Sequence, residues 1–146
     1  MQAVIFIGIQ ASGKSTFYKK RFFNTHIRIN LDMLKTRNRE DILLEACLRA
    51  KQPFVVDNTN PTVESRAKYI QGASEEGFQV VGYYFDSNLQ EAILRNTART
   101  GRAQVPPQVI AITYKKLEQP TLEEGFAALY SVTILPSGEF SESEWY

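Results

Sequence analysis

The chain has 146 residues and a formal net charge of +1, and 43% of its residues are hydrophobic and 23% charged. These values predict one soluble globular domain. They exclude a general positive charge as the means of binding nucleic acid, which would have to use a local basic patch. The apolar runs are too short for a membrane span, and a strand pattern at the N-terminus leaves no room for a signal peptide, so we expect a cytoplasmic protein with no membrane partner.

Strand and helix patterns alternate along the chain, which predicts an α/β fold. The predicted strands are 2–7, 26–30, 54–57, 78–85 and 128–135. The predicted helices are 15–24, 40–51, 63–76, 89–97 and 106–117, the second of which buries Leu43, Ala46, Cys47 and Ala50 at helical spacing. Helical crossovers between five strands predict a three-layer sandwich, with a parallel sheet covered by helices on both faces. The acidic tail, 141–146, is expected to be loosely held.

Residues 8–15 fit the phosphate-loop pattern G-x-x-x-x-G-K-[ST], with a strand pattern before them and a helix pattern after them. Gly8 and Gly13 allow the backbone to wrap a phosphate, so that successive N–H groups point inward. Lys14 is predicted to reach the β- and γ-phosphates of a nucleotide, and the Ser15 hydroxyl to hold Mg²⁺. With the neighbouring loop residues Gln10, Ala11, Ser12 and Thr16, this stretch predicts the ATP site of a P-loop NTPase-type fold.

Two carboxylates follow predicted strands, at the edge of the sheet where the phosphate loop also lies. Asp57 ends a strand at a position suited to hold Mg²⁺, directly or through water, although an Asp that caps a turn also fits. Asp32 is a candidate general base for an acceptor hydroxyl, and a helix-capping Asp is the alternative. Asn30, two residues earlier, either ties this turn together or contacts the acceptor.

Three arginines, Arg95, Arg99 and Arg102, precede a helix that is opened by proline. A basic segment in this position predicts a lid, around 95–117, that closes over the phosphates and shields them from water. A solvated basic helix end is the alternative interpretation, because positive charge is favourable there in any case.

A second basic group, Lys35, Arg37 and Arg39, lies just beyond Asp32. These side chains are suited to bind the phosphate of an acceptor strand. A solvated charged turn fits the same pattern, so charge alone does not decide between the two interpretations.

Several stretches together closely resemble the kinase domain of the polynucleotide 5′-hydroxyl kinase family: 8–17, 29–32, 56–61 and 65–69. The stretches 95–99, 105–106 and 114–126 are similar to that family's lid and the segment after it. Asp-Asn-Thr-Asn-Pro at 57–61 and Pro-Thr-Leu-x-Glu-Gly-Phe at 120–126 are more specific than the phosphate loop. The resemblance covers nearly the whole chain and implies a single P-loop kinase domain, 1–146.

The resemblance implies an enzyme that transfers the γ-phosphate of ATP to the 5′-OH of DNA or RNA. By position it makes Lys14, Asp32 and Arg99 catalytic, with Arg95 supporting Arg99 beside the nucleotide. The predicted acceptor contacts are Asn30, Lys35, Asp57, Asn60 and Arg102. Gln10 stands where many members have proline. Lys35 stands where phage members have an arginine. Lysine cannot form the two parallel hydrogen bonds to a phosphate that arginine forms, which puts the acceptor preference in question.

Two other functions fit the sequence. The first is a P-loop kinase of a small molecule or another acceptor that is not a nucleic acid. The second is a nucleotide-binding module without transfer, which Asp32 and Arg99 disfavour. The resemblance leaves open whether the domain works alone, pairs with other repair enzymes or acts on a different acceptor.

Overall fold

The computed structural model describes residues 1–101 and 104–145, which form one six-stranded sheet flanked by helices. The strands are β1 (Gln2–Ile7), β2 (Ile27–Ile29), β3 (Phe54–Val56), β4 (Gln79–Phe85), β5 (Ala128–Ile134) and β6 (Phe140–Glu144). The α-helices are α1 (Lys14–Arg21), α2 (Leu31–Leu34), α3 (Arg37–Ala50), α4 (Val63–Glu75), α5 (Leu89–Thr97) and α6 (Pro107–Lys116), and a short 3₁₀ helix spans Leu122–Glu124. Across these two described ranges, no helix combines the length and the apolar character that a bilayer span requires.

The strands lie in the order β2-β3-β1-β4-β5-β6, and the first five run parallel. The predicted α/β sandwich with a parallel sheet is therefore confirmed. β1 lies inside the sheet and is buried from Ala3 to Ile7, which explains its uninterrupted apolar sequence. Each crossover between parallel strands carries helix, as such connections require.

The core consists of two layers, one on each face of the sheet. Alternate residues of β1 divide between them: Ala3, Ile5 and Ile7 face α3 and α4, whereas Val4 and Phe6 face α1. The α1 face is aromatic, and its buried rings meet edge to face or tilted at centroid distances of about 5–6 Å. These layers hold the strand ends, and so the segments that follow them, in fixed positions.

Helix α3 begins three residues earlier than predicted, and its packing face differs from the predicted one. Thr36 caps the helix by accepting a hydrogen bond from the Arg39 backbone N–H at 3.1 Å, so the basic stretch is helical. Cys47 is buried as expected, but Ala46 and Ala50 are exposed and the larger Leu48 packs in the core instead. The prediction of those two alanines as core residues was wrong, because it followed spacing and ignored side-chain size.

The prediction of a loosely held tail was also wrong, because residues 140–144 form β6. This strand pairs antiparallel with β5, and Phe140 packs against Phe17 with a centroid distance of 5.1 Å. Trp145 follows, packs against Tyr84, and donates its indole N–H to the Pro120 carbonyl at 2.9 Å. Two aromatic anchors therefore hold an acidic strand at the edge of the sheet.

Direct hydrogen bonds join the segments that leave the carboxyl ends of β1, β2 and β3. Gly8 N–H donates to the Thr59 carbonyl at 3.0 Å, and Asn60 Nδ2 donates to the Phe6 carbonyl at 2.7 Å. Asn30 Nδ2 donates to the Asp57 carbonyl at 2.6 Å. The phosphate loop and the two polar turns are thus fastened to one another at a single edge of the sheet.

Candidate active site

The phosphate loop, residues 8–13, connects β1 to α1 with a geometry that two glycines permit. Gly13 has φ +97°, and a Cβ there would lie 2.9 Å from the Phe140 ring and 3.0 Å from Ile134. A Cβ on Gly8 would lie 2.9 Å from the Phe85 Cβ. Both substitutions would push the loop off the sheet, so the loop shape depends on these positions being glycine.

Lys14 lies within the curve of this loop. Its Nζ donates to the Ile9 carbonyl at 2.6 Å and to the Gly8 carbonyl at 3.1 Å. Burial lowers the pKa of Lys14 to about 8, and Asp57 acts in the opposite direction as the next largest influence. A buried ammonium at the loop is ready to contact phosphate oxygens.

Ser15 and Asp57 are in direct contact at the start of α1 and the end of β3. Ser15 Oγ donates to Asp57 Oδ2 at 3.0 Å, and Asp57 is buried. Its carboxylate contacts the Ser15 hydroxyl and the Arg28 guanidinium, which favours a site role over a turn cap. Two hard oxygen donors in contact suit Mg²⁺, which usually takes one or two protein oxygens together with phosphates and water.

Arg28, on β2, is a member of this site that the sequence did not reveal. Its Nε donates to Asp57 Oδ2 at 2.8 Å and its Nη2 to Ser15 Oγ at 2.9 Å. Alternation along β2 places Arg28 on the opposite face from Ile27 and Ile29 but does not identify its partners. Because its partners lie 13 and 29 residues away in the chain, strand order had to be known before the contact could be found.

Asp32 is exposed in α2 and lines the cleft, while Asn30 forms the cap of that helix. Asn30 Oδ1 accepts from the Met33 backbone N–H at 2.9 Å, so capping is already provided and does not explain Asp32. Of the two roles open to Asn30, the structure supports tying the turn together, since its Nδ2 binds the Asp57 carbonyl. Asn58 also accepts from the Leu31 N–H at 2.9 Å and steadies the same turn.

The two described arginines of the predicted lid occupy different positions. Arg95 Nε donates to the Ala11 carbonyl of the phosphate loop at 2.7 Å, and Nη2 contacts Ser87 Oγ at 2.5 Å. Arg99 lines the cleft, and burial, followed by the charge of Arg95, lowers its pKa. Arg102 lies outside the described residues.

The phosphate loop packs directly against the predicted lid. Ile9 and Ala11 form an apolar cluster with Ala92 of α5 and Ile110 of α6. Gln10 Nε2 donates to Thr113 Oγ1 at 3.1 Å, which joins the loop to α6 by a polar contact as well.

Other predicted site residues are either bound to backbone carbonyls or exposed. The Ser12 hydroxyl donates to the Ile9 carbonyl at 2.8 Å, and Asn60 is buried against the Phe6 carbonyl. Thr16 is exposed in the first turn of α1. Lys35 is exposed at the end of α2 with φ +77°, and the structure does not bring it to the cleft.

Glu40 anchors the wall of the cleft formed by α3 and α4, and the sequence did not mark it. It is fully buried and accepts hydrogen bonds from Tyr69 OH at 2.7 Å, Arg37 Nη1 at 2.9 Å and Asn58 Nδ2 at 3.1 Å. Lys68 Nζ lies 3.1 Å from the same carboxylate. Burial alone would raise the pKa of Glu40, but the hydrogen bonds from Tyr69, Lys68 and Arg37 lower it below its ordinary value.

These segments enclose one cleft of about 650 Å³. Of the predicted site residues, the cleft brings together Gln10, Ala11, Lys14, Ser15, Asn30, Asp32, Asp57, Asn60 and Arg99. Arg37, Lys68 and Tyr69 line it as well. A phosphate-binding loop, a carboxylate and two walls that carry basic side chains therefore share a single cleft.

Comparisons with known proteins agree with this description. Residues 4–120 match the protein family described as the AAA domain. The chain is 29% identical over 151 aligned residues to the bifunctional polynucleotide phosphatase/kinase of Schizosaccharomyces pombe, covering 99% of the chain and 37% of that protein. It is 31% identical over 139 residues to the putative bifunctional polynucleotide phosphatase/kinase of Acanthamoeba polyphaga mimivirus, covering 90% of the chain and 33% of that protein. The chain thus spans about a third of the length of these relatives.

Among solved structures, a gluconokinase from Sinorhizobium meliloti 1021 superposes with a TM-score of 0.62 at 19% identity, over 90% of this chain and 82% of the other. That likeness shows the fold. The resemblance to polynucleotide kinases found in the sequence is confirmed by the two curated relatives. Since the family match covers most of the residues that build the cleft, the chain belongs to the AAA-domain family of P-loop proteins.

Proposed function

We propose that this chain is a kinase that transfers the γ-phosphate of ATP to the 5′-OH end of DNA or RNA. The main observation in support of the proposal is that Lys14, Asp32 and Arg99 line the same cleft. Phosphoryl transfer requires a phosphate-binding loop, a group to orient the attacking hydroxyl, and positive charge for the transition state. Each of these requirements has a candidate residue in the cleft.

The donor half of the proposed site is the phosphate loop with Lys14, Ser15 and Asp57. Lys14 would contact the β- and γ-phosphates, and Ser15 with Asp57 would hold Mg²⁺, either directly or through water. When bound, Mg²⁺ neutralises charge that develops on the phosphate oxygens. Arg95, on the Ala11 carbonyl, would keep the loop and the lid in register.

Asp32 is the proposed general base. The acceptor hydroxyl oxygen forms a bond to the γ-phosphorus while the bond from that phosphorus to the β–γ bridging oxygen breaks, so that ADP leaves. The hydroxyl proton passes to the Asp32 carboxylate. Asn30 and Asn58 hold the turn that carries Asp32, which supports the fixed position that a base needs.

Arg99 is the proposed lid arginine. Its guanidinium lines the cleft, where it would contact the phosphoryl group in transit. Burial beside Arg95 is unfavourable for a cation, and a bound triphosphate would relieve this cost. The same relief would favour closure of the lid over the nucleotide.

The wall formed by α3 and α4 supports a phosphate-bearing acceptor. Arg37 and Lys68 both line the cleft, and they share the single buried carboxylate of Glu40. Asp41 also pairs with Lys68, but its side chain is mostly exposed and it does not line the cleft. Glu64 of α4 also lines the cleft, so the wall has no excess of positive charge, but Arg37 and Lys68 are suited to contact the phosphates of a nucleic-acid strand, the substrate that the names of the two curated relatives suggest. Lys35, exposed beyond the turn, would reach only a longer acceptor.

The test is transfer of label from γ-labelled ATP, with Mg²⁺, to single-stranded DNA and RNA oligonucleotides that carry a 5′-OH. The same oligonucleotides with a 5′-phosphate serve as the control, and gluconate serves as a small-molecule acceptor. We expect label on the 5′-OH strands only. No label on any oligonucleotide would overturn the proposal. Label on gluconate alone would establish the small-molecule alternative.

A further inference from the structure

The guanidinium of Arg28 contacts both oxygen atoms that are suited to hold a metal ion. Arg28, Ser15 and Asp57 form a closed triangle of hydrogen bonds of 2.8, 2.9 and 3.0 Å. The Asp57 side chain is 1% exposed, so its charge is balanced within the protein, and Arg28 provides the direct ion pair. A metal ion that binds at this site therefore lies beside the positive charge of the Arg28 guanidinium.

The position of Arg28 is fixed by its strand and by a neighbouring ring. β2 pairs with β3 in a register that sets Arg28 opposite Val55, and the Asp57 N–H donates to the Ile29 carbonyl at 2.8 Å. The Tyr18 ring lies 6.0 Å from the guanidinium, and its hydroxyl is bound to the His26 carbonyl at 2.7 Å. The guanidinium is therefore directed at Ser15 and Asp57 by the fold itself.

We infer that Arg28 is a built-in competitor of Mg²⁺ at the Ser15–Asp57 pair. An Arg–Asp pair is close to neutral, so it attracts a divalent cation far less than an unpaired buried carboxylate would. The phosphates of a nucleotide add the negative charge that is missing. Mg²⁺ therefore binds tightly only together with the nucleotide, and Arg28 sets how strongly the two depend on each other. This inference rests on the proposed nucleotide site and adds a positioning residue to it.

The test measures ADP affinity by calorimetry over a series of Mg²⁺ concentrations. Its first readout is the factor by which saturating Mg²⁺ changes the affinity for ADP. Its second readout is the affinity of the nucleotide-free protein for Mn²⁺, measured by electron paramagnetic resonance. Arg28→Gln keeps a polar side chain but removes the charge. We expect it to bind Mn²⁺ without nucleotide about tenfold more tightly and to need correspondingly less Mg²⁺ for its effect on ADP. Arg28→Lys keeps the charge but cannot fork onto both oxygens, so a smaller change of about threefold is expected.

Arg21→Gln is the matched control, because Arg21 is also paired with a carboxylate, but with that of Glu142 on β6 rather than with the Ser15–Asp57 pair. It should leave both metal readouts unchanged. Unaltered or weaker metal binding in Arg28→Gln, with thermal unfolding like that of the wild type, would overturn the inference. If that variant does not fold, unaltered metal binding in Arg28→Lys would do the same.

Metal binding and oligonucleotide phosphorylation are separate readouts. A wild-type protein whose ADP affinity ignores Mg²⁺ contradicts the role of the Ser15–Asp57 pair, and the inference falls with it. A protein that couples Mg²⁺ to ADP but phosphorylates no oligonucleotide contradicts only the proposed acceptor.

Discussion

Arg66 and Glu124 form a buried, two-pronged ion pair that joins residues 58 positions apart. Arg66 Nε and Nη2 donate to the two Glu124 oxygens at 2.8 and 3.0 Å, and Arg66 Nη1 donates to the carbonyls of Asn60 and Glu118. The pair links the loop after β3 to the segment after α6. Arg66 thereby brings together the two most specific stretches of the family resemblance, 57–61 and 120–126.

Breaking this pair should cost much of the stability of the fold. Arg66→Met leaves the Glu124 carboxylate buried and uncompensated, so we expect the free energy of unfolding to fall by about 3–5 kcal/mol in urea denaturation. Arg49→Met is the matched control, since Arg49 pairs with Glu45 on the surface, where such pairs contribute about 0–1 kcal/mol. Equal losses in the two variants would contradict the structural role of Arg66.

The pKa of Lys14 predicts how nucleotide binding depends on pH. Burial lowers this pKa from 10.5 to about 8, so Lys14 loses its proton as the pH rises through that value. A bound phosphate stabilises the charged form, so ADP binding should take up a proton just above pH 8 and should weaken as the pH rises further. Calorimetry in buffers of different ionisation enthalpy measures the uptake. Lys14→Met should abolish the uptake, and a wild-type protein that takes up no proton would contradict the assignment.

The lowered pKa of Lys14 also makes the free energy of unfolding depend on pH. Because the unfolded chain holds this proton up to a pKa near 10.5 and the folded chain only to about 8, the unfolded state binds more protons between these values. The free energy of unfolding contributed by Lys14 therefore rises with pH through this window. Lys14→Met should flatten that rise in urea denaturation of the nucleotide-free protein, and an unchanged slope would count against a buried ammonium.

The contact between Gln10 and Thr113 should control the mobility of α6. Gln10 Nε2 donates to Thr113 Oγ1 at 3.1 Å, so Gln10→Met removes this hydrogen bond between the loop and the helix and keeps the bond from Thr113 Oγ1 to the Val109 carbonyl. Such a bond contributes about 1 kcal/mol, so amides of Pro107–Lys116 should exchange roughly fivefold faster. Hydrogen exchange with mass spectrometry measures this, with amides of α4 as the internal control. Equal protection of α6 in both proteins would show that apolar packing alone holds it.

The wall formed by α3 and α4 should govern acceptor affinity rather than nucleotide affinity. Lys68→Gln should raise KM for the oligonucleotide and reduce the slope of log KM against log salt by about 1, since one phosphate contact is lost. KM for ATP should stay unchanged. Lys51→Gln is the control, because Lys51 is an exposed lysine paired with Glu76 outside the cleft. Identical salt slopes in the two variants would remove Lys68 from the acceptor site.

The local part of the fold could be predicted from the sequence. β1 and α5 have the predicted bounds, because an apolar run ending at Gly8 and the side chain of Asn88 mark their limits. β6 could not be predicted, because Glu142 and Glu144 suggest a solvated tail. What fixes the strand is its antiparallel pairing with the neighbouring β5 and the packing of Phe140 against Phe17, which is remote in sequence.

The residues of the site also divide into those that could be predicted from the sequence and those that could not. Asp32 and Asp57 were identified because they follow strands, and parallel strands end at one edge of a sheet. Arg28, Glu40 and Arg66 were missed because charge alone predicts exposure, whereas each is held by partners in distant segments. Only the folded structure shows that these charges are balanced.

Asp32 provides the most direct test of the account. We expect the wild type to label a 5′-OH oligonucleotide from γ-labelled ATP, and Asp32→Asn to do so at least about a hundredfold more slowly, because the hydroxyl proton has no acceptor. ADP affinity should be retained in the variant, and Glu45→Gln, which replaces an exposed carboxylate of α3, should be fully active. Wild-type rates in Asp32→Asn, measured beside an active wild type, would contradict the proposed chemistry of the cleft.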